Sequence, residues 1–297
     1  MAEMPADRPT QWSYEEAFSR NIGWVTEPEQ QTLRTKRIAI AGMGGVGGEH
    51  LLTLARLGVG RFNISDFDVF EVANFNRQAG ATVSHVGQSK VDVMEGMARD
   101  INPALDVRRF PDGISPDNLD AFLDGVDVYV DSMDFFAIDV RRRLFAACAE
   151  RAIPAITAAP LGMGAALLCF LPGGMTFEEY FQVKGHDEPE QLLRFLVGLA
   201  PARLHMGYLV VPESIDLPNH RGPSTPIAVH MCASVAAGQV LKVLLQRGRV
   251  PAAPWGLQFD AYRNKLTRTW RPGGNRHPIQ RLALILGRRK FLAALSA

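Results

Sequence analysis

Cysteine is scarce in this chain of 297 residues: Cys148, Cys169 and Cys232 are the only three, and no two form a C-x-x-C pair. A disulfide framework and a four-cysteine zinc site are therefore excluded, so no zinc is expected. The same scarcity fits a reducing cytoplasm. No charge-free apolar run reaches the ~20 residues of a membrane helix. The longest candidate, 158–175, is interrupted by two prolines and four glycines. The first 36 residues mix acidic, basic and apolar side chains, without the apolar core of a secretory leader. A cytoplasmic protein with no membrane span is the expectation.

Net charge is also nearly lacking, at +1, with 47% hydrophobic and 21% charged residues. Such a chain has ample material for a packed core, and disorder is excluded. The balance conceals an asymmetry, because residues 260–297 carry +8 and the remainder −7. A basic tail on an acidic body points to an anionic partner such as nucleic acid, or to packing on the acidic body or a second subunit.

Hydrophobic periodicity gives an alternating pattern. Residues 13–35 read as two short helices opened by S/T-x-x-E capping boxes, Ser13 with Glu16 and Thr26 with Glu29. Strands are predicted at 37–41, 61–66, 105–110, 126–131, 154–158 and 165–171, and helices follow the glycine-rich turn after residue 41 and lie at 86–102, 116–124 and 138–152. Strands alternating with helices of this length predict an α/β fold, a Rossmann-like, doubly wound, mostly parallel sheet. Residues 172–224, rich in proline and glycine, read as a long excursion over the surface. A long apolar helix at 226–247 and a hairpin at 256–270 complete the chain. The expected organisation is an N-terminal helical arm (1–36), a nucleotide-binding core (37–171), the excursion (172–224), and a completing helix, hairpin and basic tail (225–297).

The chemistry begins at Gly42-Met-Gly44-Gly45-Val-Gly47, a G-x-G-x-x-G between a strand and a helix. Its glycines permit a tight turn and bring backbone N–H groups to phosphate at the positive end of the helix. Asp66 ends the next strand, where a carboxylate can take ribose hydroxyls. Then come Asp68, Asn74, Arg77, Gln78 and Lys90. Hydride transfer builds no phosphate charge, so a dehydrogenase has no use for this set. Attack on a phosphate does, and fixed Arg and Lys groups stabilise it. Lys90 is one of six lysines beside 26 arginines. His186, His205 and His220 lack metal spacing and read as surface residues. Cys169 and Cys232 lie in apolar segments and read as core.

These motifs, with Asn102-Pro103 and Asp131-Ser-Met-Asp134, resemble the ThiF/MoeB superfamily, which contains the ubiquitin-activating enzymes and their bacterial relatives. The resemblance spans about residues 15–170. It implies adenylation of a carboxylate with ATP and Mg²⁺, commonly the C-terminal glycine of a small carrier protein. It further implies that Gly42, Gly44, Gly45 and Gly47 hold the phosphates and Asp66 the ribose, with Asp68 and Gln78 among the nucleotide-binding residues. Asn74, Arg77 and Lys90 would line the phosphates, and Asp134 would serve Mg²⁺ and the in-line attack. Phe18-Ser-Arg20-Asn-Ile22 resembles the family's arginine motif, implying a homodimer in which Arg20 reaches the partner's ATP.

The chain departs from that pattern in places. It has no zinc-binding C-x-x-C pairs, and 172–224 has no cysteine to receive an acyl group, so no thioester step is expected. Phe135 stands where relatives often have Asn, and Arg141, Arg142 and Arg143 are displaced from the usual helix position. Besides carrier proteins, relatives act on peptides and on threonylcarbamoyl-adenosine in tRNA, and the basic tail suits the last. A non-catalytic ATP-binding subunit of the same fold and an NAD-dependent oxidoreductase are the competing classes.

Overall fold

The structure, a computed structural model, describes residues 12–216, 219 and 221–295. Two short helices, α1 (Tyr14–Ala17) and α2 (Glu27–Thr35), open it. Thr26 and Glu29 form the reciprocal capping box, with Thr26 N–H donating to Glu29 at 2.7 Å. The core runs β1 (Arg37–Ala41), α3 (Gly45–Arg56), β2 (Arg61–Ser65), α4 (Lys90–Ile101), β3 (Asp106–Phe110), α5 (Leu119–Leu123), β4 (Val128–Asp131), α6 (Ile138–Glu150), β5 (Ala155–Leu161) and β6 (Gly164–Phe170). Helices α7 (Phe177–Phe181), α8 (Glu188–Leu199) and α9 (Pro226–Leu244) follow. Strands β7 (Trp255–Asp260) and β8 (Lys265–Trp270) and helix α10 (Pro278–Leu295) end the described chain.

All eight strands form one sheet in the order β3-β2-β1-β4-β5-β6-β7-β8. The first five are mutually parallel, with β1 central and paired to β2 and β4. The last three are antiparallel and extend it, β5–β6 and β7–β8 as hairpins and β6–β7 across the long insertion that carries α7, α8 and α9. This is the mostly parallel α/β sheet that the strand–helix alternation predicts. The reversal of strand order at β1/β4 opens a crevice at the carboxyl ends of those strands.

Strand β1 shows why both faces must be covered. Ile38 and Ile40 face a core shared with α3, α4 and α9, while Ala39 and Ala41 face one shared with α6, α7 and α8. Every residue of β1 is buried, as in a parallel strand sandwiched between helical layers. Among the described residues α9 is the one helix long and apolar enough to cross a membrane, but it packs on α3, β5 and β6 and half of it is buried.

One expectation is corrected. The 172–224 segment does not run over the surface throughout. Phe177, Tyr180 and Phe181 of α7 and Leu192, Phe195 and Leu199 of α8 are buried in the second core. Phe177 stacks within 4.7 Å of Phe145 on α6. These aromatics are core. The terminal helix α10 packs on α8.

Two glycines separate structural need from tolerance. A Cβ on Gly47 would lie 1.7 Å from the Gly42 carbonyl oxygen, whereas one on Gly96, exposed within α4, would meet nothing within 4 Å. Gly96→Ala is expected to stabilise the protein by ~0.5–1 kcal/mol in urea unfolding, through the lost backbone entropy of glycine. Gly47→Ala is expected to destabilise it by more than that gain. Equal effects would show that the loop is not tightly packed.

Candidate functional site

The glycine loop leaves β1 by a turn that only glycine tolerates. Gly42 has φ +95°, and a Cβ there would lie 2.5 Å from the Ser132 carbonyl oxygen. Gly47 backs directly onto Gly42, and its nearest side-chain neighbour is the Ser132 Cβ. The loop after β1 is thus pressed against the loop after β4, the one that carries Asp134. Gly44 is the N-cap of α3 with no side chain to satisfy the first N–H groups of that helix. Free backbone donors at a helix start attract anions.

Asp66 closes the turn from the β2 side. Its carboxylate accepts the Met43 N–H at 2.7 Å and the Asp68 N–H at 2.8 Å. Burial raises its pKa, opposed by those two backbone bonds and the nearby Lys90. Lys90 opens α4 and is tied to the same place, its N–H on the Asp68 carbonyl at 3.0 Å and its Nζ on the Asp68 carboxylate at 2.9 Å. A two-bridge zipper, Val69 with Ser89 and Phe70 with Val86, holds these strands of chain side by side. Lys90 is therefore no solvated helix-start lysine: its side chain is 8% exposed, while that of Asp68 is half exposed.

The turn at Asn74 brings the next group in. Asn74 Oδ1 accepts the Glu71 N–H, and its carbonyl accepts the N–H groups of Arg77 and Gln78. Arg77 then packs on Gly45, as does Val229 of α9, and the Gln78 amide packs on Gly44. Two buried polar atoms around the loop, Gln78 Oε1 and Ser132 Oγ, have no hydrogen-bond partner among the described residues. Buried polar atoms without partners are rare, and here both flank the loop where a ligand would sit.

Asp134 is exposed on the β4–α6 loop, its Oδ1 accepting the Phe136 N–H at 3.0 Å. What holds that loop is Arg141. Its Nε donates to Asp131 at 2.9 Å, its Nη2 to the carbonyls of Met133 and Asp134 at 2.7 and 2.9 Å, and its Nη1 to the Phe135 carbonyl at 3.3 Å. Its guanidinium lies 4.6 Å above the Phe195 ring of α8. Asp131 is completed by the Thr157 hydroxyl at 2.9 Å. Both partners are 2% exposed at the side chain. Sequence reasoning treats Arg141 only as a displaced helix arginine. Its place at the buried positions Ile138, Arg141, Phe145 and Cys148 of α6 is a signal that could have marked it as internal.

The structure thus gathers the glycine loop, Asp66, Asp68, Asn74, Arg77, Gln78, Lys90 and the Asp134 loop at the carboxyl end of the sheet. Arg20 is not among them. It is exposed on the turn Ser19–Asn21, and among the described residues it makes no hydrogen bond or ion pair with the others. No group of three or more His, Cys, Asp or Glu able to hold a metal occurs among the described residues. The histidine expectation is corrected at His205. Its Nδ1 is buried without a partner among the described residues, and burial lowers its pKa against the pull of Asp260. His186 is exposed, and His220 lies outside the described residues. All three cysteines are buried.

Sequence comparison matches residues 18–281 to the ThiF family, and the chain belongs to that family. ThiF-family members are ATP-using, adenylyltransferase-like enzymes. The tRNA threonylcarbamoyladenosine dehydratase of Bacillus subtilis (strain 168) is 37% identical over 150 residues, covering 50% of this chain and 57% of that protein. The match therefore spans little more than half the length of that relative. Among solved structures, Escherichia coli MccB with ATP superposes with a TM-score of 0.62 at 19% identity, covering 90% of this chain and 73% of that one. The AMP complex of the E. coli tRNA N6-threonylcarbamoyladenosine dehydratase TcdA gives 0.58 at 23% identity, covering 78% and 95%. At these identities the superpositions show the fold.

The Arg141–Asp131 pair has a measurable consequence. Arg141→Ala strands a buried carboxylate, and the expected cost in urea unfolding is about 3–5 kcal/mol. The double variant Arg141→Met with Asp131→Asn is expected to recover part of that loss. A single-variant cost within experimental error of zero would refute the role given to Arg141.

Proposed function

We propose that this chain activates a carboxylate with ATP, forming an acyl-adenylate and releasing pyrophosphate, and that the carboxylate is that of a threonylcarbamoyl-adenosine in tRNA. The observation that supports the first half is the convergence of phosphate-seeking backbone donors with Asp66, Arg77 and Lys90 at one end of the sheet. The relatedness to threonylcarbamoyladenosine dehydratases supports the second half. A carrier-protein or peptide C-terminus is the other substrate class that the same site would serve.

A carboxylate oxygen attacks the α-phosphorus of ATP, the bond between that phosphorus and the bridging oxygen breaks, and pyrophosphate leaves. Two anions must approach for this to happen. In the proposed roles the α3 N–H groups and Gly42, Gly44, Gly45 and Gly47 bind phosphate, Asp66 orients the ribose, and Asn74, Arg77 and Gln78 line the phosphates. Lys90, pre-set by Asp68, neutralises charge that grows on the phosphoryl oxygens. Asp134 would hold Mg²⁺ together with the phosphates, a small carboxylate count that suits this ion, which would act as a Lewis acid there. An internal nucleophile of the threonylcarbamoyl group then attacks the activated carbonyl and expels AMP. The carboxylate oxygen departs on AMP, so the net change in the substrate is loss of water. No enzyme thiol is required. That suits this chain, since burial pushes the Cys148 and Cys169 thiols up to about 12.

Arg20 is proposed to act on a partner's site in a homodimer. On the same arm Trp24 is 85% exposed, an apolar side chain of the kind a second subunit covers.

ATP–pyrophosphate exchange, assayed with tRNA, small proteins or peptides in turn, tests the reading. Exchange is expected with tRNA bearing the threonylcarbamoyl group, and Lys90→Ala or Asp134→Asn is expected to lower it ~10²–10³-fold. ATP binding without exchange on any substrate would instead favour a non-catalytic subunit. Mixing inactive Arg20→Ala and Asp134→Asn proteins tests the dimer. Each mixed dimer would regain one working site if Arg20 serves its partner, and none if Arg20 works within its own chain.

A further inference from the structure

Away from the glycine loop, α8, α10 and the turn Gly274–Arg276 enclose a cavity of about 450 Å³. A second cavity of about 400 Å³ adjoins it, sharing Gln182, Arg194 and Arg276 and adding Lys184 and His186 together with the carboxylates of Glu178 and Glu179. Four arginines line the first: Arg194, Arg276, Arg281 and Arg288, and no carboxylate does. We infer that this cleft binds the phosphodiester backbone of RNA. The inference deepens the tRNA reading above and rests on it.

The charge is only partly offset internally. Glu190 lies beneath the cleft, 8% exposed, and accepts from Arg194 Nε at 2.7 Å and from Arg288 Nε and Nη2 at 2.9 and 2.7 Å. One carboxylate thus serves two guanidinium groups and leaves a net positive charge there. These bonds also fix both forks before any ligand arrives, so little side-chain freedom is lost on binding. Arg276 and Arg281 are exposed, and neither forms a salt bridge with a described residue, although Arg276 lies near enough to Glu179 to help lower its pKa. Four guanidinium groups around the single Glu190 carboxylate leave a positive field that draws a further anion.

Strand phosphates fit the first lobe, where no carboxylate lines the wall, while Glu178 and Glu179 turn the strand away from the second. A flat headgroup surface meets a cleft poorly, although Ile279, Leu282, Ile285 and Leu286 are exposed on α10. Guanidinium forks match phosphate oxygens in pairs, and backbone neutralisation without base contacts suits a folded RNA recognised by shape. The chain's basic excess in residues 260–297 includes Arg276, Arg281 and Arg288.

Fluorescence anisotropy of the full chain with labelled tRNA, from 50 to 200 mM salt, tests this. Affinity of the native protein is expected to fall steeply with salt. The double variant Arg276→Glu, Arg281→Glu is expected to bind at least about tenfold more weakly and to flatten the salt slope by about one unit per arginine. Its unfolding midpoint and ATP affinity are expected to stay at native values, whereas Arg276→Lys with Arg281→Lys is expected to retain most of the binding. Native affinity and slope in the glutamate variant would overturn the cleft. So would binding of phosphatidylserine vesicles or polyglutamate in place of tRNA. The two readings fail separately: tRNA-dependent exchange with an indifferent cleft sinks only this inference, while absence of that exchange in the native protein sinks the tRNA reading itself.

Discussion

Backbone pressed on backbone is the constraint from which the site follows. Gly47 lies against the Gly42 carbonyl, and Gly42 against the Ser132 carbonyl, so the ends of β1 and β4 and the start of α3 share one point of contact. No side chain fits between them. Because the contact is made at main-chain distance, the α3 N–H groups and the Asp134 loop are held in register by sterics rather than by adjustable side chains. The remaining elements dock onto that contact. Asp66 ties the loop to β2, the Val69–Ser89 and Phe70–Val86 zipper brings Lys90 to Asp68, and Val229 of α9 closes against Gly45.

A second anchor acts at one remove. Arg141 satisfies three successive carbonyls, Met133 to Phe135, that a loop leaving a strand would otherwise expose to a low-dielectric interior. Its ring contact with Phe195 joins α8 to that loop. The segment between β6 and α9 is thereby mechanically connected to the nucleotide end of the sheet, even though no residue of α8 belongs to the glycine-loop cluster.

Much of this was legible in the sequence where local chemistry and fold agree. The β-branched run 37–41 and the glycine pattern that follows read as strand and loop because both faces of β1 are buried and the turn needs a positive φ. The Thr26–Glu29 box read as a helix start for the same reason it forms one. The prolines and glycines around α7 and α8 made 172–224 as a whole read as a surface excursion. Yet Thr176 with Glu179 forms the same reciprocal cap, and Asp187 caps Glu190 over a proline-bearing first turn. Arg141 and His205 were illegible for a different reason. Their burial comes from tertiary partners distant in sequence, and an arginine or histidine carries no sequence mark of the carbonyls or carboxylate it will meet. Arg20 is legible only as a motif, since its proposed counterpart lies on another subunit.

The inert thiols have a practical side. Cys148, Cys169 and Cys232 are all buried, two with pKa near 12 and the third also pushed up by burial. Electrophiles and oxidants act on exposed thiolates, so the native fold shields its own sulfur from both. A single cysteine introduced at an exposed position would then be the reactive thiol of the folded molecule. A reporter dye or spin label could be attached there without first removing the native cysteines, and their protection from maleimide would itself report on whether the core has opened.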